Sequence, residues 1–331
     1  MEMQLLTYDA ERKMTELEKY KYYLELRAYA LKRKLTNVTA GAVRVAPKLK
    51  KPVNVITKGL TRILAGGPVE MVSDGQENIP DCPVIFAHTH QGLLDNIAWI
   101  AATPRHCIVL HSAVVNKVLG MAQYCVGLIF VKKAKGEKKN RENATWDMIK
   151  LLLSGHSIAF FPEGAWNLSP NKLHLQMSWG VVNIAQKAGV PIVPVVNEYV
   201  YEPNPKKERI TKIHTRFGKP IYVNGQDDLQ EKLQEYKDNI STMRWEMIEE
   251  NGLFKRRELS PTYYRDYVKA NIKNLRAGGI DVNVERELLF GSQKDFYLFH
   301  HINDVPCDDN GCLQETQEQK RLRQINKEHN I

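Results

Sequence analysis

Short apolar runs alternate with helical stretches between about residue 64 and residue 223, and this alternation limits the fold more than any other feature. The runs are rich in Val, Ile and Phe and are read as buried strands, at residues 83–87, 107–111, 128–131, 157–161 and 191–196. Candidate helices lie between them, at residues 93–102, 114–124, 143–154 and 175–188. Strands that alternate with helices predict an α/β fold, with a mixed, largely parallel sheet flanked by helices.

The sequence on either side of this region is mainly helical in character. Residues 1–62 are basic, and they form either a helical cap on the main domain or a contact with a membrane surface. Residues 63–223 are predicted to form the main domain, and residues 224–331 a helical extension with a polar tail. Within that extension the segment 227–251 is strongly helical and is followed by Gly252. The prolines of segment 190–195 favour strand ends or an edge strand.

Charge and composition narrow the classes of partner. With 43% hydrophobic and 26% charged residues the chain is globular rather than disordered or collagen-like. Its 47 Lys and Arg against 38 Asp and Glu give a net charge of +9, which favours an anionic partner. We expect a membrane surface with anionic lipid and no nucleic acid, because no basic motif is interleaved with aromatic residues.

The cysteines and the hydropathy pattern bear on location. The five cysteines form no CxxC pair, so we expect no metal site, not even at Cys307 and Cys312, and a reducing compartment. Acidic residues precede any apolar run at the N-terminus, and no stretch reaches about 18 consecutive apolar residues, so neither a signal peptide nor a transmembrane helix is expected. The expected location is cytoplasmic, peripherally associated with the inner face of the membrane.

The sharpest local motif is His90 followed five residues later by Asp95, where a strand ends and a helix begins. A five-residue step turns about 140° on a helix, so His90 must precede the helix for the two side chains to meet. Asp95 would then bind one ring nitrogen and leave the other as a proton acceptor. His88, two residues earlier, is either a supporting hydrogen-bond donor or a structural histidine whose own hydrogen bonds are satisfied.

Two further motifs follow strands. Phe161, Pro162, Glu163 and Gly164 form a turn that projects Glu163 at a strand end, unless that carboxylate is simply a solvated turn residue. Residues 127–133 are predicted to form a strand that ends in lysines, and a basic loop follows it. This cluster of cations either binds phosphate or belongs to an ordinary solvated loop.

Together these motifs resemble the glycerophospholipid acyltransferase superfamily, notably the 1-acylglycerol-3-phosphate acyltransferases. The resemblance spans roughly residues 64–223 and includes His90-x4-Asp95, then Gly127, Phe130 and Lys133, then Phe161–Gly164, then the segment 190–195. It implies an O-acyltransferase of phospholipid biosynthesis that transfers a fatty acyl group from acyl-CoA or acyl-carrier protein to a lysophospholipid hydroxyl, with 1-acylglycerol-3-phosphate as the expected acceptor. No bound cofactor is implied.

The resemblance also implies residue roles. His90 and Asp95 would be catalytic, with no covalent acyl-enzyme, and the amides near His90 or Gly164 would be candidate oxyanion donors. The residues expected to bind substrate are Gly127, Phe130, Lys133, Phe161, Pro162, Glu163, Gly164 and Trp166.

Trp166 departs from the family pattern, because an arginine that helps to hold the acceptor phosphate usually stands there. Lys133 likewise replaces the usual arginine and loses its bidentate fork. These departures leave open an acyltransferase with another acceptor, such as another lysolipid, an amine or a sugar hydroxyl. An alternative of another class is a lipid-binding module without catalysis.

Overall fold

A computed structural model describes residues 3–35, 37–91, 94–112, 127–131, 138–164, 167, 173–175, 177, 179–202 and 209–251. The chain divides into two compact units, Met1–Leu253 and Phe254–Ile331, and all structural statements below concern the first. The predicted site residues Lys133 and Trp166, the predicted helix at 114–124, and Cys307 and Cys312 lie outside the described residues.

The described part of the first unit contains a seven-stranded sheet. Its strands are β1 (Glu70–Asp74), β2 (Ile85–His88), β3 (Cys107–Ser112), β4 (Leu128–Val131), β5 (Ser157–Phe160), β6 (Ile192–Glu202) and β7 (Arg209–Phe217). The order across the sheet is β1-β7-β6-β2-β5-β3-β4, and every neighbouring pair is parallel except β6 and β7. The predicted α/β fold with a mixed, largely parallel sheet is therefore confirmed.

The helices flank this sheet. They are α1 (Tyr8–Arg12), α2 (Glu16–Lys32), α3 (Asn37–Val45), α4 (Lys50–Leu64), α5 (Asp95–Ala102), α6 (Lys138–Leu153), α7 (Gly180–Ala188) and α8 (Leu229–Glu250). One hydrophobic core joins α2, α6, α7 and α8 to the central strands. A second lies around Phe86, Trp99 and Phe217. Because β2 and β5 have helices on both faces, their residues are fully buried in unbroken runs.

The position of Pro194 contradicts the expectation that the prolines of segment 190–195 lie in an edge strand or at a strand end. Pro194 lies within β6, which is interior, between β7 and β2. The carbonyls of Pro191 and Val195 accept hydrogen bonds from Ile85 of β2 and from Thr89 directly after it, whereas the carbonyl of Pro194 accepts from Gly218 on the other side. The proline nitrogen faces that same side, where the β7 pairing has already ended at Phe217, so no ladder bond is lost.

The start of the chain packs on the main domain. Four residues of α2 are buried in the principal core: Tyr22, Tyr23, Leu26 and Ala30. Glu11 and Lys187 of α7 form a buried ion pair, with 2.5 Å between Oε1 and Nζ. Residues up to α2 therefore behave as a helical cap, one of the two alternatives for segment 1–62.

Helix α8 also belongs to the first unit. Leu233, Tyr236, Ile240 and Met247 on one face of α8 enter the principal core, and α8 packs against β6. The unit ends at Leu253, so the boundary expected at 223/224 falls inside it. The sequence change at 223 marks the end of the sheet rather than the end of the compact unit.

Candidate active site

His90 lies at the carboxyl end of the central strand β2, in the turn that precedes α5. Strand β2 ends at His88 between β5 and β6, and α5 begins at Asp95. The His90 side chain is 13% exposed, and it lies at the carboxyl ends of the strands, where ligands bind in open α/β sheets. The prediction that His90 precedes the helix is confirmed.

The carboxylate of Asp95 meets the imidazole of His90 as predicted from the spacing. His90 Nδ1 lies 3.0 Å from Asp95 Oδ2, and the Asp95 side chain is fully buried. Oδ2 also accepts from the backbone N–H of Gln91, and Oδ1 accepts from the hydroxyl of Tyr199. An acceptor at Nδ1 favours the tautomer that carries its proton there, so proton transfer falls to Nε2.

Glu163 is buried beneath the same turn rather than solvated. Its Oε1 accepts from the backbone N–H of His90 at 2.9 Å, and its Oε2 accepts from the backbone N–H of Leu175 at 2.8 Å. Burial raises the pKa of Glu163 to about 7, against the two hydrogen bonds, which lower it. Both carboxylate oxygens of Glu163 thus accept hydrogen bonds from backbone N–H groups. Binding of the acyl acceptor by Glu163 stays a prediction.

The turn after β5 also places the predicted residues Phe161, Pro162 and Gly164 around His90. The Phe161 ring lies against the His90 ring, with centroids 4.4 Å apart and a tilt of 37° between the ring planes, and Pro162 is buried. Gly164 has a φ of +65°, and its N–H donates to the carbonyl of Phe161. The N–H of Asn167 donates to the carbonyl of His90 at 2.5 Å. Hydrogen bonds and ring contacts therefore join two turns that lie some 70 residues apart in the chain.

His88 is a packed, neutral ring. It is fully buried and lies against Trp99 and Phe161, with centroids 4.8 and 5.3 Å away. Burial, followed by the nearby His90, lowers the pKa of His88 to about 3. Within the described part of the chain its ring nitrogens have no hydrogen-bond partner, so neither predicted role of His88, supporting donor or hydrogen-bonded structural histidine, is found.

Part of the chain is similar to a known protein family. The family model for the acyltransferase domain matches residues 70–198, which include His90, Asp95 and Glu163. The resemblance to the glycerophospholipid acyltransferase superfamily that the sequence motifs predicted is therefore confirmed for this region of the chain.

Several curated members of the superfamily are similar to it. A chloroplastic 1-acyl-sn-glycerol-3-phosphate acyltransferase of Brassica napus is 28% identical over 128 residues, which cover 37% of this chain and 35% of the relative. The 1-acyl-sn-glycerol-3-phosphate acyltransferase of Borreliella burgdorferi is 28% identical over 185 residues, which cover 54% and 70%. The chain thus spans about a third of the length of the plant relative.

A solved structure is also similar. It is the crystal structure of the 1-acyl-sn-glycerophosphate acyltransferase PlsC from Thermotoga maritima, at 22% sequence identity and a TM-score of 0.47. The similarity covers 72% of this chain and 86% of that one.

The second motif of the superfamily lies at the sheet edge formed by β4. Gly127, with a φ of +82°, precedes this strand, and a Cβ there would touch the His106 ring at 3.4 Å. Phe130 pairs in register with His111 of β3. Strands β5 and β3 separate β4 from β2, so the structure brings Phe161–Gly164 to His90 but not Gly127 and Phe130. Their expected role in substrate binding stays a prediction.

The described backbone amides beside His90 and at Gly164 already donate to protein acceptors. The N–H of His90 donates to Glu163, that of Gln91 donates to Asp95, and that of Gly164 donates to Phe161. A donor already bound to an acceptor contributes little to a developing charge, since its hydrogen is directed elsewhere. The expectation that these amides stabilise the oxyanion is therefore not supported by the geometry.

Three site residues were missed from sequence. Tyr199 donates to Asp95, Gln91 donates through Nε2 to the carbonyl of Asn197, and Arg244 of α8 binds Glu198 of β6. These contacts join positions 46 to 106 residues apart. Gln91 lies within the motif itself, but nothing local to Tyr199 or Arg244 distinguishes them from core residues.

Proposed function

We propose that this chain is an O-acyltransferase that transfers a fatty acyl group from acyl-CoA or acyl-carrier protein to the free hydroxyl of a lysophospholipid, with 1-acylglycerol-3-phosphate as the acceptor. The observation that carries the proposal is the 3.0 Å contact between His90 Nδ1 and a fully buried Asp95 at the carboxyl end of β2. The names of the relatives support the choice of acceptor.

The arrangement supports direct transfer through general acid–base catalysis. Nε2 of His90 takes the proton of the acceptor hydroxyl as its oxygen attacks the thioester carbonyl, and Asp95 stabilises the imidazolium that forms. The tetrahedral intermediate then collapses, the carbon–sulfur bond breaks, and the departing thiolate takes the proton from His90. The products are an ester and a free thiol, with no proton or electron left over.

Testing the proposal requires the activity and its dependence on His90. Purified protein is incubated with acyl-CoA and a mixed lysolipid pool, and products are identified by mass spectrometry. We expect phosphatidic acid, and a loss of about 10²- to 10⁴-fold in kcat for His90→Ala. His156→Ala is the matched control, because His156 directly precedes β5 at the opposite end of that strand. Product from another acceptor alone would overturn the acceptor assignment, and full activity of His90→Ala would overturn the mechanism.

We further propose that α4 docks the protein on an anionic membrane surface at the inner face of the membrane. The exposure pattern of this helix is the reverse of that expected in a water-soluble protein. Thr57 and Thr61 are buried, while the side chains of three aliphatic residues, Val55, Ile56 and Ile63, are 72%, 66% and 75% exposed. On an ideal helix these three aliphatic positions span about 100° of one face.

Cations complement this apolar face. Lys51, Lys58 and Arg62 lie along one border of it by helical position, and no acidic residue occurs in α4. An apolar face bordered by cations fits an interfacial helix on anionic lipid. Among the described helices none is both long and apolar enough to span a membrane.

Vesicle co-sedimentation tests the docking face. The variant Ile56→Asp/Ile63→Asp should lose most binding to vesicles that contain anionic lipid, and binding of the unaltered protein should weaken as salt rises. Leu17→Asp on α2 is the control, because Leu17 is also an exposed aliphatic residue, at 61%. Equal loss in both variants, or none in either, would overturn the assignment to α4.

A further inference from the structure

Helix α8 lies outside the region that matches the acyltransferase family model, yet one of its side chains reaches the candidate active site. The match covers residues 70–198, whereas α8 spans Leu229–Glu250. Arg244 of this helix is 8% exposed and points into the packed interface between α8 and β6.

The guanidinium of Arg244 bonds two separate segments. Nε donates to Oε2 of Glu198 at 3.1 Å, and Nη1 donates to the carbonyl of Leu173 at 2.7 Å. Glu198 belongs to β6, and Leu173 to the chain that follows the Phe161–Gly164 turn. A planar guanidinium can hold two acceptors in fixed directions at once, which an ammonium group does less well.

Each bonded segment leads directly to the His90 turn. Leu173 lies two residues before Leu175, whose N–H binds the same Glu163 carboxylate that accepts the N–H of His90. On the other side, Oε2 of Glu198 lies 3.4 Å from Nε2 of Gln91, the residue after His90. Arg244 is therefore linked to both sides of the turn that carries the imidazole, through Glu198 to Gln91 on one side and through the 173–175 segment and Glu163 to His90 on the other.

We propose that Arg244 is a positioning residue for acyl transfer, which fixes the His90 turn and the loop after β5 in one arrangement. The inference rests on the proposed function, because positioning matters only if His90 performs chemistry. Misplacement of a reacting group by about 1 Å can cost on the order of 10²-fold in rate. The site thus depends on a helix that follows the family domain in the chain.

Electrostatics at Glu163 give Arg244 a second effect. Several groups face this carboxylate: the cation of Arg244 and the phenol of Tyr236 from α8, the carboxylate of Asp95 from α5, and the His90 turn. Arg244 favours the ionised form of Glu163, which lowers its pKa, whereas Asp95 opposes it. Loss of Arg244 should therefore shift the ionisation of Glu163 to higher pH.

Hydrogen–deuterium exchange of the full chain tests the positioning directly. In Arg244→Gln we expect at least about tenfold faster exchange at the amides of His90 and Leu175, with the amides of β2 and β5 unchanged. Arg216→Gln is the matched control, because Arg216 also ties α8 to the sheet, through Glu250 and Asp74, but contacts neither loop. Unchanged exchange at His90 and Leu175 in Arg244→Gln, or equal acceleration in Arg216→Gln, would overturn the proposal.

Kinetics of the same variants supply the second measurement. Arg244→Gln should lower kcat about 10- to 100-fold and move the acid side of the pH profile upward, Arg244→Lys should recover part of the rate, and Arg216→Gln should match the unaltered protein. A uniform loss without a pH shift would overturn the proposal in favour of simple destabilisation. If Arg244→Gln does not fold, Glu198→Ala, which removes the acceptor of Arg244 Nε and the contact with Gln91, replaces it in the exchange measurement, with faster exchange expected at His90. If His90→Ala keeps full activity the proposed function fails, while the exchange result still decides whether Arg244 fixes the turn.

Discussion

The backbone N–H of His90 donates a 2.9 Å hydrogen bond to Oε1 of Glu163, a residue 73 positions later that is only 2% exposed. The same carboxylate accepts the N–H of Leu175, so both of its oxygens face N–H donors. An ionised carboxylate satisfies both donors, whereas a protonated one places a hydroxyl against an N–H. The protonation state of Glu163 is therefore coupled to the position of the proposed catalytic histidine.

Activity should increase with pH through about 7, the pKa to which burial raises Glu163. Glu163→Gln should leave only the pH dependence that a general base at His90 requires, and it should lower kcat about 10- to 100-fold, because its amide group opposes one of the two N–H donors. The measurement is kcat from pH 5.5 to 8.5. Glu77→Gln, at an exposed glutamate, is the control and should keep the slope. A pH profile identical to that of the unaltered protein would assign the increase near pH 7 to another group.

Stability should change with pH in the opposite direction. The pKa of Glu163 in the folded protein, about 7, exceeds its ordinary value of 4.5, so the folded state binds this proton more tightly than the unfolded state. Its contribution is fully present below pH 4.5 and is lost as the pH rises through about 7. Urea unfolding at pH 5 and pH 8 should show a smaller decrease in Glu163→Gln than in the unaltered protein. An unchanged decrease would contradict the assignment.

Asp95→Asn should reduce kcat by about 10²- to 10⁴-fold with little change in KM, because the imidazolium loses its anionic partner and the favoured tautomer changes. Tyr199→Phe removes only the hydroxyl that donates to Oδ1 of Asp95, so its loss should be much smaller. Steady-state kinetics of both variants at saturating acyl-CoA provide the measurement. A larger effect for Tyr199→Phe than for Asp95→Asn would argue against Asp95 as the partner of His90.

The strands were predictable from sequence because fully buried parallel strands are continuous apolar runs. The segments expected at 107–111, 128–131 and 157–161 correspond to β3, β4 and β5 within one residue. Strands β1 and β7 were not proposed as strands from local pattern, since Glu70–Asp74 and Arg209–Phe217 are rich in polar and charged residues. Their identity as strands depends on pairing with each other and with β6, which is a tertiary property.

The site was predictable only where its residues are close in sequence. The spacing of His90 and Asp95 gave their contact, because a turn followed by a helix start brings positions five apart together. The bonds from Glu163 to His90 and from Arg244 to Leu173 could not be inferred, since they depend on which loops the sheet order brings together. Burial was misjudged for the same reason at Glu163, which reads locally as an ordinary turn residue.

Removing one partner of the buried pair Glu11–Lys187 should destabilise the fold strongly. The side chains of Lys187 and Glu11 are 1% and 5% exposed, and Glu11 also accepts from the hydroxyl of Tyr23. Glu11→Ala should cost about 3–5 kcal/mol, because an unpaired ammonium remains in the core. Glu235→Ala, in the exposed pair with Lys232, should cost less than about 1 kcal/mol. Denaturant unfolding measures both, and equal values would mean that the N-terminal cap is not held by this pair.

Gly75→Ala should destabilise the protein more than Gly155→Ala, although both glycines have a positive φ. Their φ values are +71° and +90°, so alanine is strained at either position, by about 1–2 kcal/mol. At Gly155 the added Cβ meets open space, whereas at Gly75 it overlaps the backbone carbonyl of Phe217. That carbonyl is also held by the side chain of Asn78 at 2.9 Å, so it cannot move without breaking a hydrogen bond. Thermal unfolding should give a Tm for Gly75→Ala several degrees below that of Gly155→Ala, and the reverse order would show that β1 and β7 adjust freely at this junction.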